Sequence, residues 1–258
     1  MPTALITGAS IGLGREFARI CARDGLDVVL TARSEPQLES LADEIRRETG
    51  RTAVVLARDL SYPAAPREIF DDLGGRGIAI DVLINNAGFG LNGLSWQLPY
   101  DECMKMIQVN ITALTALTRL FLPVFVQRRS GRILNIASTA AFQPGPLMAV
   151  YYATKAYVLS FSEAIHNEAR DFGVTVTCLC PGATKTEFDK RAGMANSRLF
   201  TSGRAMDAAT VAQIGYDAMM EGKPEVIAGG LNALIAFSTR FASRQTTASI
   251  ARRFQESA

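Results

Sequence analysis

Histidine is almost missing from this chain: His166 is the single one among 258 residues. That excludes a histidine-rich metal site, and no metal ion is expected. The four cysteines, Cys21, Cys103, Cys178 and Cys180, include no CxxC pair. Cys178 and Cys180 would point to one face of a strand and lie too close to bridge readily. Buried free thiols in a reducing, cytoplasmic compartment are therefore expected. No run of 18 uninterrupted apolar residues occurs, so no membrane span is expected. The chain runs straight into the apolar Ala4-Leu5-Ile6-Thr7, and no signal peptide is expected. Lysine plus arginine barely exceed aspartate plus glutamate, 27 against 25, and no dense basic run occurs, which argues against a nucleic-acid partner. Repeats, low-complexity tracts and linkers are absent.

What remains is an ordinary globular composition, 48% apolar and 20% charged, ordered as alternating strands and helices. Apolar runs at residues 3–7, 27–31, 52–57, 80–84, 132–137, 174–179 and 225–228 read as strands. Helical periodicity occupies residues 12–23, 35–49, 68–73, 101–127, 149–171 and 207–220. The strands are apolar throughout rather than alternating, as a sheet covered on both faces requires. Such alternation implies parallel strands joined by helical crossovers. The expected class is α/β, a doubly wound parallel sheet of about seven strands in one domain over residues 1–230. An amphipathic tail, 231–258, belongs to the same domain.

The chemistry-bearing residues gather where these strands end. Thr7-Gly8-Ala9-Ser10-Ile11-Gly12-Leu13-Gly14 joins the first strand to the first helix. Its glycines permit a tight turn and close backbone approach to phosphate at a helix N-terminus, which fits dinucleotide binding. The same stretch contains Gly8-Ala9-Ser10-Ile11-Gly12, the GxSxG pattern of a hydrolase nucleophile elbow. That rival would need Ser10 as nucleophile and His166 as base. It is disfavoured because only one strand precedes the elbow and because His166 lies on a helix whose polar side should face water. Arg33-Ser34 follows the second strand, where an arginine suits a ribose 2′-phosphate and an acidic residue would suit the 2′-hydroxyl. Asp59, with Leu60 beside it, ends the third strand as either an adenine acceptor or a helix N-terminal acid. Asn85-Asn86-Ala87-Gly88 ends the fourth, Ser138 the fifth, and Pro181-Gly182-Ala183-Thr184-Lys185-Thr186 the sixth. Ligands of open α/β sheets bind outside these carboxyl ends.

Tyr151 and Lys155, four residues apart, share a helix face. A cation near a tyrosine favours its phenolate, so the pair could exchange protons near neutral pH, although such a pair taken alone is usually a surface contact.

Taken together, the glycine loop, Asn85-Asn86-Ala87-Gly88, Asn110, Ser138, Tyr151-x-x-x-Lys155 and Pro181-Gly182 resemble the short-chain dehydrogenase/reductase family in order and spacing, over about residues 3–228. The resemblance implies a single-domain Rossmann fold and NAD(P)-dependent interconversion of carbonyl and alcohol. It implies Tyr151 as general acid/base and Lys155 as the group that lowers its pKa and holds the nicotinamide ribose. Ser138 would hold the substrate oxygen, and Asn110 would position a relay water. The cofactor would contact Gly8, Ser10, Ile11, Gly12, Leu13 and Gly14 in the loop. Further contacts would come from Arg33, Ser34, Asp59, Leu60, Asn85, Ala87, Gly88, Tyr151, Lys155, Pro181 and Gly182. Thr184 and Thr186 would meet the carboxamide and phosphates. NADP is expected, with NAD possible, because members preferring NADP often carry a second basic residue where Ile11 stands.

Three loops, residues 89–99, 139–150 and 183–203, should frame the substrate. Phe89, Leu91, Trp96, Phe142, Leu147, Met148, Phe188, Met194, Leu199 and Phe200 would give an apolar lining for a hydrophobic small molecule. The third loop is a lid candidate. Helices 101–127 and 149–171 are apolar beyond one-sided burial, which together with the resemblance suggests a homodimer or homotetramer. The tail carries Leu231, Leu234, Ile235 and Phe237 beside Arg240, Arg244, Arg252 and Arg253. It could cap the core or a subunit interface, or lie on a membrane as a peripheral contact. A non-catalytic nucleotide sensor is a third functional reading, disfavoured because binding alone needs no Asn110, Ser138, Tyr151 and Lys155 set.

Overall fold

A computed structural model describes residues 1–194 and 205–256. Seven strands form one sheet in the order β3-β2-β1-β4-β5-β6-β9, every pairing parallel. They are β1 (Thr3–Thr7), β2 (Asp27–Ala32), β3 (Ala53–Ala57), β4 (Val82–Asn85), β5 (Gly131–Ile136), β6 (Val174–Cys180) and β9 (Glu225–Ile227). A separate two-residue ribbon pairs β7 (Thr184–Lys185) with β8 (Met206–Asp207). The class, the strand count and the parallel sense agree with the sequence reading.

Pleating sends successive side chains to opposite faces, and each face meets its own layer of helices. Ala4, Ile6, Val28 and Leu30 go to one core with Phe17, Leu38, Leu41 and Val211. Those helix residues come from α1 (Gly12–Arg23), α2 (Glu35–Thr49) and α8 (Ala208–Met220). Leu5, Val29, Leu83 and Ile133 go to the other core with Ile69, Leu117, Phe121 and Phe125. Here the helices are α3 (Ala65–Gly75), α5 (Leu114–Gln127) and α6 (Ala149–Ala169). Each fully buried side chain of this size contributes about 1.5–3 kcal/mol, so the two cores hold the sheet from both sides.

The helix expected over residues 101–127 is continuous but not uniform. It runs as α4 (Tyr100–Ile107), a π-helical turn (Gln108–Ala113) and α5. The wider turn rotates Asn110 inward, where it is almost fully buried. By length and composition this 28-residue helix could cross a membrane, although no unbroken apolar run announces it. Its apolar inner face packs in the core through Leu117, Phe121 and Phe125, with Phe70 edge-on to Phe121 at 5.1 Å.

All four cysteines are buried and free. After β9 the tail forms α9 (Gly230–Ser238) and α10 (Arg244–Gln255), which turn back over the carboxyl edge of the sheet. Of the expected lid, residues 195–204, including Leu199 and Phe200, lie outside the described residues. Its described start holds a short helix, α7 (Phe188–Arg191).

Candidate active site

One large cavity of about 1340 Å³ lies along the carboxyl edge of β1 to β6. Ligand pockets usually hold about 300–1,000 Å³, so this space suits a dinucleotide and a second molecule together. The glycine loop makes its floor. Gly8 has φ +66°, and a Cβ there would stand 2.9 Å from the Asn86 amide and 3.0 Å from Ala87 Cα. A Cβ on Gly14 would lie 2.2 Å from the Gly8 carbonyl oxygen, so this glycine sets how closely α1 packs on the turn. The first turn of α1 has no side-chain cap at Ile11, and Ile11, Gly12 and Leu13 face the cavity. Free N–H groups and the positive end of the helix dipole therefore point into it.

The Asn85–Gly88 segment divides its duties. Asn85 does not line the cavity, contrary to the sequence expectation. As the last strand residue it points into the core, donating to Thr118 Oγ1 at 3.1 Å and Asn135 Oδ1 at 2.9 Å. Asn86 turns the other way, and its amide reaches the Thr7 and Gly8 carbonyls at 2.9 and 3.2 Å. Backbone N–H groups of Asn86 and Ala87 both donate to Thr7 Oγ1 at 2.9 Å. The end of β4 is thus stapled to the glycine loop, leaving Ala87 and Gly88 at the cavity wall. Gly14 likewise packs behind the wall rather than on it.

At the far end of β2, Arg33 and Ser34 line the cavity. Arg33 makes no hydrogen bond or ion pair among the described residues, and Ser34 caps α2 without using its hydroxyl. The β2–β3 register pairs Ala32 with Ala57, and Arg58 N donates to Ala32 O at 3.1 Å. Arg58 therefore leaves the sheet beside Arg33 and lines the same space. Sequence reasoning missed it, although its place directly before Asp59 was a usable signal. Its guanidinium donates to the Ala57 carbonyl at 2.9 Å and stands 3.5 Å from both Glu68 and Asp72. Asp59 accepts from Ser61 N at 2.9 Å and lies well before α3, so it is not that helix's N-terminal acid.

The reacting end is built on α6 and the end of β5. Tyr151 and Lys155 share the buried inner face of α6, the ammonium 5.7 Å from the ring centre. Lys155, only 5% exposed, donates to the Ile136 carbonyl at 2.7 Å. Burial pushes its ammonium down to about 8, opposed by Cys178 and Cys180. Ser138 accepts from Ala140 N at 3.1 Å, donates to Pro181 O at 3.3 Å, and shares the cavity wall with Tyr151. Burial drives the Tyr151 phenol well above its ordinary value, and the neighbouring Ser138 hydroxyl partly opposes it. The Lys155 ammonium, 5.7 Å from the Tyr151 ring centre, directs its bond to a backbone carbonyl.

Asn110 sits behind this end, and its side chain does not reach the cavity. Its oxygen accepts from Phe89 N at 3.1 Å, and its amide donates to Phe89 O at 2.9 Å and to Thr154 Oγ1 at 3.1 Å. Thr154 in turn donates to the Tyr151 carbonyl at 2.7 Å. Every polar atom of Asn110 is used to hold the Gly88–Phe89 turn against α6. Pro181, Gly182, Thr184 and Thr186 complete the wall opposite the glycine loop, and a Cβ on Gly12 would stand 3.2 Å from Thr186.

Of the expected apolar lining, Phe89, Leu91, Met148, Phe188 and Met194 face the cavity. Trp96 is 79% exposed and lies off it, as do Phe142 and Leu147. In their place stand Tyr152 and tail residues, among them Leu231, Ile235, Phe254 and Gln255. The hydrolase alternative fails on placement. Ser10 lies past the end of β1, whereas His166 is half-buried with Nδ1 2.8 Å from the Val176 carbonyl in mid-β6.

A glycine cradle at an uncapped helix start, with a tyrosine, lysine and serine converging at the same sheet edge, defines a dinucleotide-binding α/β protein with a proton-handling centre. The chain belongs to the short chain dehydrogenase family, whose model matches residues 2–196. It is 37% identical over 192 residues to 17-beta-hydroxysteroid dehydrogenase type 3 of Mus musculus. To the very-long-chain 3-oxoacyl-CoA reductase of Homo sapiens it is 34% identical over 193 residues. Each alignment takes 72% of this chain and 61% of the relative, so the chain spans about three fifths of the length of these curated relatives. Among solved structures, a short-chain dehydrogenase from Sphingobium yanoikuyae in complex with NADPH is 34% identical, with TM-score 0.84, covering 100% of this chain and 99% of that one. A bulky-bulky ketone specific alcohol dehydrogenase from Comamonas testosteroni is 30% identical with TM-score 0.80, covering 93% and 92%.

Proposed function

We propose that this chain is an NADP(H)-dependent oxidoreductase that interconverts a ketone or aldehyde and an alcohol on a bulky apolar molecule. The carrying observation is that Tyr151, beside the buried Lys155, stands with Ser138 on the wall of the cavity that also holds the glycine cradle.

The residues present fit the cofactor. Gly8 and Gly12 let the loop pack tightly on Asn86, Ala87 and Thr186, the uncapped α1 N-terminus would hold a pyrophosphate, and Arg33, Ser34 and Arg58 would hold a 2′-phosphate. When bound, the nicotinamide supplies or removes a hydride. The protein's own residues do the rest. Ser138 and Tyr151 hold the substrate oxygen, and their hydroxyls stabilise the negative charge it gains during reduction. Burial keeps the Tyr151 phenol protonated at neutral pH, which is the form that donates a proton to that oxygen. Lys155 spends one N–H on Ile136 and keeps two for a ribose and the phenol side. Asn110 is a positioning residue acting through Phe89 and Thr154. The substrate class is supported by the apolar lining of Phe89, Leu91, Met148 and Phe188, and by relatives that act on hydroxysteroids and bulky ketones.

Calorimetric titration with NADPH and NADH, followed by turnover of apolar ketones, tests this reading. NADPH binding with turnover abolished by Tyr151→Phe supports it. Unchanged turnover in Tyr151→Phe overturns the catalytic assignment. Binding of neither cofactor overturns the whole reading. Nucleotide binding without turnover of any ketone would favour a sensor.

A further inference from the structure

We infer that the two tail helices dock this protein on an anionic lipid surface, with the mouth of the cavity facing the bilayer. Three observations converge on one patch. First, α9 is apolar nearly throughout, yet Ala236 is its only buried residue. Leu231, Leu234, Ile235 and Phe237 stand in solvent, as do Phe241, 79% exposed, and Ile250 and Phe254 on α10. A helix of that composition without a protein partner has left its apolar face for something else. Second, part of this face is the rim of the cavity itself: Leu231, Ile235, Ile250 and Phe254 are both exposed and cavity-lining. An apolar molecule leaving a bilayer there would enter without crossing water.

Third, the charge is asymmetric. Residues 229–258 hold four arginines and one glutamate, a net +3, while the other 228 residues carry −1, giving the chain's +2. Arg244 and Arg253 have no ion pair among the described residues, and Arg240 lies 5.7 Å from the Phe237 ring. A second copy of this chain would bring the same positive face against itself. An anionic headgroup layer is complementary to it, and a basic, aromatic, amphipathic segment is the kind that lies in a bilayer interface. The long helix Tyr100–Gln127 is not part of this patch, since its apolar inner face lies in the core.

Docking itself does not depend on the proposed reaction; only the delivery of a lipophilic substrate does. Co-sedimentation of the full chain with phosphatidylcholine vesicles, with and without phosphatidylserine, tests it. The protein is expected to sediment with the anionic vesicles and to stay in solution with the neutral ones. Arg244→Glu with Arg253→Glu should lower partitioning by roughly thirtyfold or more. Leu234→Glu with Phe241→Glu, neither cavity-lining, should abolish it while NADPH binding and turnover of a water-soluble ketone stay unchanged. Absence of anionic-vesicle binding overturns the inference, as does binding that both variants retain. A concentration-dependent dimer in light scattering that is broken by Phe241→Glu, without lipid binding, would assign the patch to a second copy instead. Loss of NADPH binding in the wild type would sink the proposed function and leave the vesicle result standing.

Discussion

Gln255 donates a hydrogen bond from Nε2 to the Tyr152 hydroxyl, joining the last turn of α10 to α6 across 103 residues of chain. Both side chains are buried, Gln255 at 3% exposure, and Tyr152 follows the proposed proton donor directly in sequence. Breaking the bond from one side leaves a buried polar group alone, at a cost of about 1–3 kcal/mol, whereas removing both partners costs less. Tyr152→Phe and Gln255→Leu are each expected to speed hydrogen exchange in residues 244–256 and to raise KM for bulky ketones. The double variant should recover part of the lost stability. Strict additivity in a double-mutant cycle would show that the bond does not latch the tail.

Cofactor choice should divide between two arginines. If Arg33 and Arg58 both grip a 2′-phosphate, Arg33→Ala is expected to weaken NADPH by roughly 10- to 100-fold, given about 1.5–3 kcal/mol for a charged hydrogen bond. Arg58→Ala should weaken it less, because Glu68 and Asp72 already engage that guanidinium. NADH affinity should change little in either. Isothermal titration of both cofactors checks this, and equal losses for NADH and NADPH would move the arginines elsewhere.

Lys155 makes the site pH-sensitive from the alkaline side. Its ammonium is lowered from 10.5 to about 8 in the fold, so between those values the unfolded chain binds more protons than the folded one. Stability should therefore rise as pH climbs through that window, by on the order of 3 kcal/mol from this group alone. Lys155→Met should flatten the slope in denaturant titrations. Reductase kcat/KM should fall above about pH 8, as the cation is lost while Tyr151, pushed upward by burial, keeps its proton. A rate that stays level to pH 10 would refute the role of the charge.

Gly14→Ala tests the cradle. The new methyl would stand 2.2 Å from a backbone carbonyl that cannot swing away, so α1 must shift. We expect about 1–3 kcal/mol of destabilisation, visible in the melting temperature, together with weakened NADPH binding. Gly25→Ala meets nothing within 4 Å, although its φ of +88° adds local strain. It should spare cofactor affinity and so serves as the control.

The sheet was legible because buried parallel strands leave continuous apolar runs, and the site was legible because ligands meet such sheets at one edge. Ser138, Tyr151, Lys155 and Arg33 fall where that rule puts them. Asn85 and Asn86 show its limit. Both end the same strand, but the pleat turns Asn85 into a core network and leaves Asn86 to tie the loops, a difference of one residue that motif spacing cannot resolve. Asn110 was found as a position but not as a side-chain geometry, because the π-turn that rotates it has no simple sequence mark. Arg58 needed the register of β2 against β3 to be seen beside Arg33. Tail residues reach the cavity by folding back across more than 100 residues, and no local pattern encodes that return.

The wall that Gln255 completes also sets when the site can exist. Strand β1 and the glycine loop leave the ribosome long before the far wall of the cavity is made. At about 5–20 residues per second, Gln255 is added about 10–50 s after Thr7. Between the addition of Phe188 and that of Gln255, the cavity side formed by Phe89, Met148 and Phe188 lacks its tail wall. A nascent chain of this protein is therefore an exposed apolar surface until its synthesis reaches α10, and chaperone capture should be strongest just before that helix emerges.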